Sequence, residues 1–275
     1  MVWLRNPTVA NVLHNSNRCS ILRTGANRLD SGGAAVLEPV YRAVSNTAVR
    51  EDMWVRIPPA APDPFDDFEC RASPPDATAC ADLRELGKTY VYLLGVYLGD
   101  GCISRAPRNV WRLRIFQDQR YRNLIAACTS AMAEVGGVRV GHVQRVGCIE
   151  IASYSKHWTC FFPQHGVGVK HGRAIQLKVW QRRLVWAHPQ ALIRGLIHSD
   201  GCRVINRVKR PLKCGVKEYD YVRYFFTNTS SDIRQLFTET CALIGVDCRP
   251  NNEKNISVAR RHSVQMLEEF IGPKS

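Results

Sequence analysis

Leu93-Leu94-Gly95-Val96-Tyr97-Leu98-Gly99-Asp100-Gly101 and Ile193-Arg194-Gly195-Leu196-Ile197-His198-Ser199-Asp200-Gly201 are two versions of one nine-residue pattern. Each reads as an apolar helix with small residues four apart (Gly95 and Gly99, Gly195 and Ser199), closed by Asp-Gly and followed by Cys102 or Cys202. Residues four apart share a helix face, so a pair of such helices can pack closely through it. The Asp-Gly ends lie 100 positions apart, room for one small α/β unit. Two equivalent helices, each delivering a carboxylate, predict a pseudo-symmetric pair folded from one chain. Its two acids would sit on a shared axis, where divalent cations can be held.

The elements downstream of the two copies repeat in the same order. After the first come an alternating strand at 110–116 with basic residues on one face, a helix at 121–134, a hairpin at 138–152 and a short helix at 155–162. After the second come Val204-Ile205, a basic hairpin, a strand at 221–226, a helix at 231–244, a strand at 255–259 and a last helix at 262–271. Pairing the halves aligns 113–116 with 223–226 and 151–157 with 256–262. The expected fold class is α+β, two tandem αββαββα repeats about a pseudo-twofold axis. The first repeat with its connector spans 82–188 and the second 189–275.

Charge separates this region from the residues ahead of it. Residues 1–88 hold 10 Lys and Arg against 11 Asp and Glu, whereas 89–275 hold 28 against 13. The whole formal charge of +14 therefore belongs to the part with the motifs, which favours a polyanionic partner such as nucleic acid. No apolar run is long enough for a membrane span and no secretory signal is evident, so a cytoplasmic protein is expected, nucleoid-associated in a bacterium. The 11 cysteines are scattered with no CxxC pair, which predicts reduced thiols and no zinc site.

Residues 1–81 read as a poorly ordered leader. It holds eight of the 14 prolines and shows no sustained period. Val55-Arg56-Ile57-Pro58 is what GTT CGA ATC CC encodes, the common T-loop sequence of a tRNA gene. Residues 43–48 can be encoded as an anticodon stem, GCGGT pairing with ACCGC, and the gap between the two suits a long variable arm. Roughly residues 35–62 are thus expected to be a tRNA gene read in frame.

The two motifs and the element order after them resemble the monomeric, two-repeat LAGLIDADG homing endonucleases over residues 82–273. The resemblance implies that the motif helices pack side by side through Gly95, Gly99, Gly195 and Ser199. It implies two four-stranded sheets forming a saddle over the DNA major groove, and a divalent-metal site at Asp100 and Asp200 with Gly99 and Ser199. Two or three Mg²⁺ ions, replaceable by Mn²⁺, would serve a double-strand cut with short 3′ overhangs. The sixth motif position is Leu98 or His198 instead of Asp, which varies in such helices; His198 and the histidines other than His157 and His262 are read as packing or surface residues. Expected helpers are Gln117 or Asp118 and Asn228 on the strands after the motifs, with Lys156 and Arg261 beside His157 and His262. These two cations equally suit simple phosphate contacts.

For DNA binding the candidates are Arg105, Arg108, Arg112, Arg114, Arg139 and Arg145 in the first repeat. In the second they are Arg203, Arg207, Lys209, Arg210, Arg223 and Lys254. Some would read bases and others hold phosphates. Lys170, His171 and Arg173 in the Gly-rich connector suit either DNA-backbone contact or anchoring of the linker. The expected activity is site-specific cleavage of double-stranded DNA by a monomer. The alternatives are a non-cleaving DNA-binding regulator on the same fold and a maturase that binds intron RNA.

Overall fold

A computed structural model describes Phe68, Cys70 and residues 87–212, 215–272 and 274. The proposed tRNA-gene segment, and nearly all of the expected leader, lie outside the described residues.

The first motif forms α1 (Gly87–Asp100), buried along nearly its whole length from Tyr90 to Leu98. A helix that is apolar all round belongs in the middle of a core, and α1 lies there. The chain passes without a linker into β1 (Gly101–Ala106), then β2 (Val110–Asp118), α2 (Arg122–Gly136), β3 (Val140–Arg145), β4 (Cys148–Ser155) and the short α3 (Trp158–Phe161). A connector with a 3-10 turn at Lys170–Gly172 leads into α4 (Val179–Ala187), a further helix beyond the glycines of the connector. The second motif is α5 (Pro189–Asp200), with proline at its first turn. Then come β5 (Gly201–Leu212), β6 (Gly215–Thr227), α6 (Ser231–Leu243), β7 (Arg249–Pro250), β8 (Asn255–Val258) and α7 (Arg261–Ile271).

Both halves are therefore αββαββα, and both sheets are antiparallel and four-stranded with the same order, β1-β2-β4-β3 and β5-β6-β8-β7. One hydrophobic core runs through both, from Leu113 and Ile115 to Phe226 and Phe237, around α1 and α5. Phe68 packs edge-on against Trp180 with ring centroids 5.0 Å apart, so residues just ahead of the first repeat touch this core. Among the described residues no helix is long and apolar enough to cross a membrane.

The glycine of each Asp-Gly makes the abrupt change from helix to strand possible. A Cβ at Gly101 would lie 2.6 Å from Tyr97 Cα, and one at Gly201 2.6 Å from Ile197 Cα. Strand pairing also corrects the alignment of the halves. Gly101 faces Ile115 and Gly201 faces Phe226, so Ile115, not Phe116, matches Phe226. The expected pairing of 113–116 with 223–226 is one residue out, a slip that would exchange the two faces of the strand. Ile151 and Ile256 do correspond, facing Ile115 and Phe226 respectively.

Candidate active site

The two motif helices touch backbone to backbone. A Cβ on Gly95 would come 2.7 Å from Leu192 O and 2.9 Å from Gly195 Cα, and one on Gly195 would strike Tyr92 O. One turn on, a Cβ on Gly99 would meet Ser199 Cβ at 2.5 Å and Asp200 Oδ2 at 2.9 Å. Four small residues thus bring the helix ends, and with them Asp100 and Asp200, to one place. His198 fixes the second helix: its Nδ1 pairs with Tyr92 Oη of α1 at 3.1 Å and its Nε2 with Ile271 O of α7 at 2.9 Å. Burial pushes its pKa down to about 4, so the imidazole is a neutral packing group.

Each acid is held by an amide from the strand that comes after it. Gln117 Nε2 donates to Asp100 Oδ2 at 2.9 Å and Asn228 Nδ2 donates to Asp200 Oδ2 at 2.6 Å. The corrected register makes Gln117 and Asn228 equivalent, each two residues beyond the partner of a motif glycine. Asp118, the other candidate, points to the surface and is chelated by Arg120.

Burial and then the neighbouring Asp200 raise the pKa of Asp100 to about 6; Asp200 is raised as well, chiefly by burial. Two desolvated carboxylates repel, which suits a hard divalent cation. The carboxylate oxygens fit Mg²⁺ or Mn²⁺ chemically, while the main-chain oxygens of Gly99 and Ser199, also expected as ligands, accept from Lys170 and Lys274.

The cations acting on these acids are Lys170 and Lys274. Lys170 Nζ donates to the carbonyls of Tyr97, Leu98 and Gly99 at 2.5, 3.0 and 2.7 Å, closing the end of α1. Lys274 Nζ donates to Ser199 O at 3.2 Å and Gly201 O at 2.5 Å, doing the same for α5. Burial lowers both, Lys170 to about 8. Lys156 and Arg261 are both exposed, whereas this pair is partly buried beside the acids. Sequence reasoning missed Lys274 altogether. The two lysines correspond once the fold is known, each coming after the closing helix of its repeat, α3 or α7.

Strand register sorts the candidate DNA-binding residues. Alternation puts Leu113, Ile115 and Gln117 on the helix-covered face of the first sheet, so Arg112, Arg114 and Arg145 share its open face with Glu150. Buried Glu150 is gripped by Arg112 at 2.5 Å and Arg145 at 2.7 Å. Among the described residues Arg114 holds no ion pair; its guanidinium lies over Phe116, 6.0 Å from the ring centroid. Arg105 falls on the other face, bonded to Asn109, and Arg108 sits at the β1–β2 turn with φ 61°. Arg139 and Lys254 are exposed at strand approaches.

The long β5–β6 hairpin has two unlike faces. On the helix-side face Arg203 pairs with Glu268, Arg207 with Asp220 and Lys209 with Glu218, so these three cations are neutralised. The open face carries Arg210, Lys217, Tyr219, Tyr221 and Arg223 with no acid. Arg210 stands directly opposite Lys217, a like-charge pair that opposes pairing unless an anion comes between.

No protein-family model and no curated protein matches the chain. Among solved structures it is similar to the homing endonuclease I-DmoI in complex with DNA and Mn, at 15% identity and TM-score 0.44 over 68% of this chain and 98% of that one. It is similar to the N-terminal LAGLIDADG domain of DUF199/WhiA at 12% identity and TM-score 0.42, over 68% and 83%. The LAGLIDADG meganuclease I-AabMI bound to uncleaved DNA matches at 12% identity and TM-score 0.41, over 66% and 82%. At such identity and overlap a likeness carries no weight on function.

Proposed function

We propose that the chain is a site-specific endonuclease of the homing type, a LAGLIDADG-like monomer that cuts both strands of double-stranded DNA with the help of divalent metal. The observation that carries this reading is the duplicated constellation of acid, amide and lysine: Asp100, Gln117 and Lys170 against Asp200, Asn228 and Lys274. Structural duty alone needs no pair of desolvated carboxylates at a helix junction, because their repulsion opposes folding.

Asp100 and Asp200 would hold Mg²⁺ or Mn²⁺. When bound, the metal supplies water activation, neutralisation of phosphate charge and stabilisation of the leaving oxygen. Gln117 and Asn228 keep the carboxylates oriented and engage only one oxygen of each. Lys170 and Lys274 bring positive charge to where a phosphate's charge develops, inside a partly desolvated site where it counts for more than in water. At neutral pH Lys170, with a pKa lowered to about 8, is still mostly an ammonium and acts as an electrostatic group. Each half would serve one strand. The open faces of the sheets, with Arg114 on the first and Arg210, Lys217 and Arg223 on the second, are the surface for DNA.

The test uses the full chain on DNA spanning its genomic locus with the gene excised, in Mg²⁺ and in EDTA. Discrete Mg²⁺-dependent double-strand cuts are expected, lost by at least about 10²–10³-fold in Asp100→Asn or Asp200→Asn. Tight salt-sensitive binding without cleavage would replace this reading with a DNA-binding regulator. Preference for the flanking intron RNA over DNA would replace it with a maturase.

A further inference from the structure

Away from the acids, three soft-metal donors meet at the outer end of the first repeat. Cys70, ahead of the repeat in the chain, lies against His157, which immediately precedes α3, and Cys160 of α3, and the three donor atoms all fall within 4.8 Å of one another. His157 and Cys160 are buried, at 6% and 4% exposure, and Cys70 is partly buried. The His-x-x-Cys spacing places two of the donors one helical turn apart on the same side. The third arrives from 87 positions earlier in the chain, which is why the scattered cysteines gave no sign of clustered ligands.

The geometry points to a soft-metal site, and we propose that Cys70, His157 and Cys160 bind zinc, with one further donor completing a tetrahedron. Zinc–sulfur bonds of about 2.3 Å and a zinc–nitrogen bond of about 2.0 Å, at the tetrahedral angle, set a sulfur–nitrogen edge of about 3.5 Å. Cys70 Sγ and His157 Nδ1 stand 3.6 Å apart. A sulfur–sulfur edge would be about 3.8 Å, so from within 4.8 Å the third donor closes both of its edges with a shift of about 1.3 Å at most. Cys70 and Cys160 would bind as thiolates and His157 as neutral imidazole, so two thiol protons leave as the ion enters. The backbone around the donors is tied down, since His157 N donates to Ser155 Oγ at 3.1 Å and Phe68 packs on Trp180. Two thiolates and an imidazole select zinc over the hard cations that suit Asp100 and Asp200. The metal would staple the segment ahead of α1 to the closing helix of the first repeat, a role independent of DNA cleavage.

The test measures metal bound to the full chain purified under reducing conditions with zinc added, then passed through a weak chelator. About one zinc per chain is expected to remain. Cys70→Ser, His157→Ala and Cys160→Ser should each lower it at least tenfold, while Cys148→Ser and Asp100→Asn keep it. X-ray absorption on the retained zinc should show at least two sulfur donors and one nitrogen. Stripping with a strong chelator should lower the melting temperature, and zinc but not magnesium should restore it. Should the serine variants fail to fold, Cys70→His keeps a donor in place and should retain zinc with one sulfur fewer. Wild-type chain without zinc, zinc unaffected by these substitutions, an all-oxygen-and-nitrogen shell, or a Cys70–Cys160 disulfide found in place of the ion would each overturn the proposal.

Discussion

Asp100 is held by Gln117 and faced by Lys170 and Lys274, yet its pKa still rises to about 6, because burial and Asp200 outweigh those partners. In the unfolded chain the same carboxyl titrates near 3.9. The folded state therefore binds a proton more tightly, and the stability this group contributes is complete below about pH 4 and lost as pH rises through about 6. Removing the charge should relieve that loss. Asp100→Asn is expected to stabilise the metal-free chain by about 1–3 kcal/mol at pH 8 while abolishing cleavage. The gain should fade below about pH 4; equilibrium denaturation in EDTA across this range checks it, and a gain independent of pH would contradict the electrostatic account. The acids and their amides were readable in the sequence because each is tied to a motif by strand spacing. Lys274 was not, because nothing local marks a terminal lysine as buried.

At the scale of elements, the helix pair is a contact with no room for added atoms. Gly195→Ala would drive a methyl into Tyr92 O and Gly95 Cα. A backbone neighbour cannot swing aside as a side chain can, so the helices must separate. Overpacking of this kind costs about 1–3 kcal/mol or more. The expected outcome is a lower denaturation midpoint together with weaker metal binding, since separation also pulls Asp100 and Asp200 apart. A variant that loses stability but keeps wild-type metal affinity would show that the acids do not depend on helix spacing. The β5–β6 hairpin gives a second comparison, between residues on opposite faces of one ribbon. Arg223→Ala should reduce the salt dependence of DNA binding by about 0.9 in log–log slope for one phosphate contact. Arg203→Ala, already paired with Glu268, should leave the slope unchanged. Titrations at several salt concentrations decide between them.

For the whole molecule, charge among the described residues is sorted in space as well as along the chain. Acid partners gather on the helix side of the hairpin, and unpaired cations on its open side, beside aromatic rings that suit contact with nucleic acid. The two halves share one core, so the pair of sheets should behave as a single cooperative body. Thermal unfolding monitored separately by calorimetry and tryptophan fluorescence should give coincident transitions. Two resolved transitions would instead mean that the repeats melt independently, and the acids would then separate before global unfolding.

The duplicated Gly-x-x-x-Gly/Ser-Asp-Gly pattern by itself determined the helix pair, because close packing and an abrupt helix end leave few residue choices, and the periodicities after each copy determined the α+β class and the order of elements. Strand alternation likewise put Arg112 and Arg114 on one face. Tertiary structure alone decided the one-residue register that makes Gln117 the counterpart of Asn228, since a period of two looks the same from either face until a partner strand is present. It also decided which cations are neutralised across strands. Finally, it brought Cys70 to His157 and Cys160, for donor groups far apart in the chain meet only when the fold closes the loop between them.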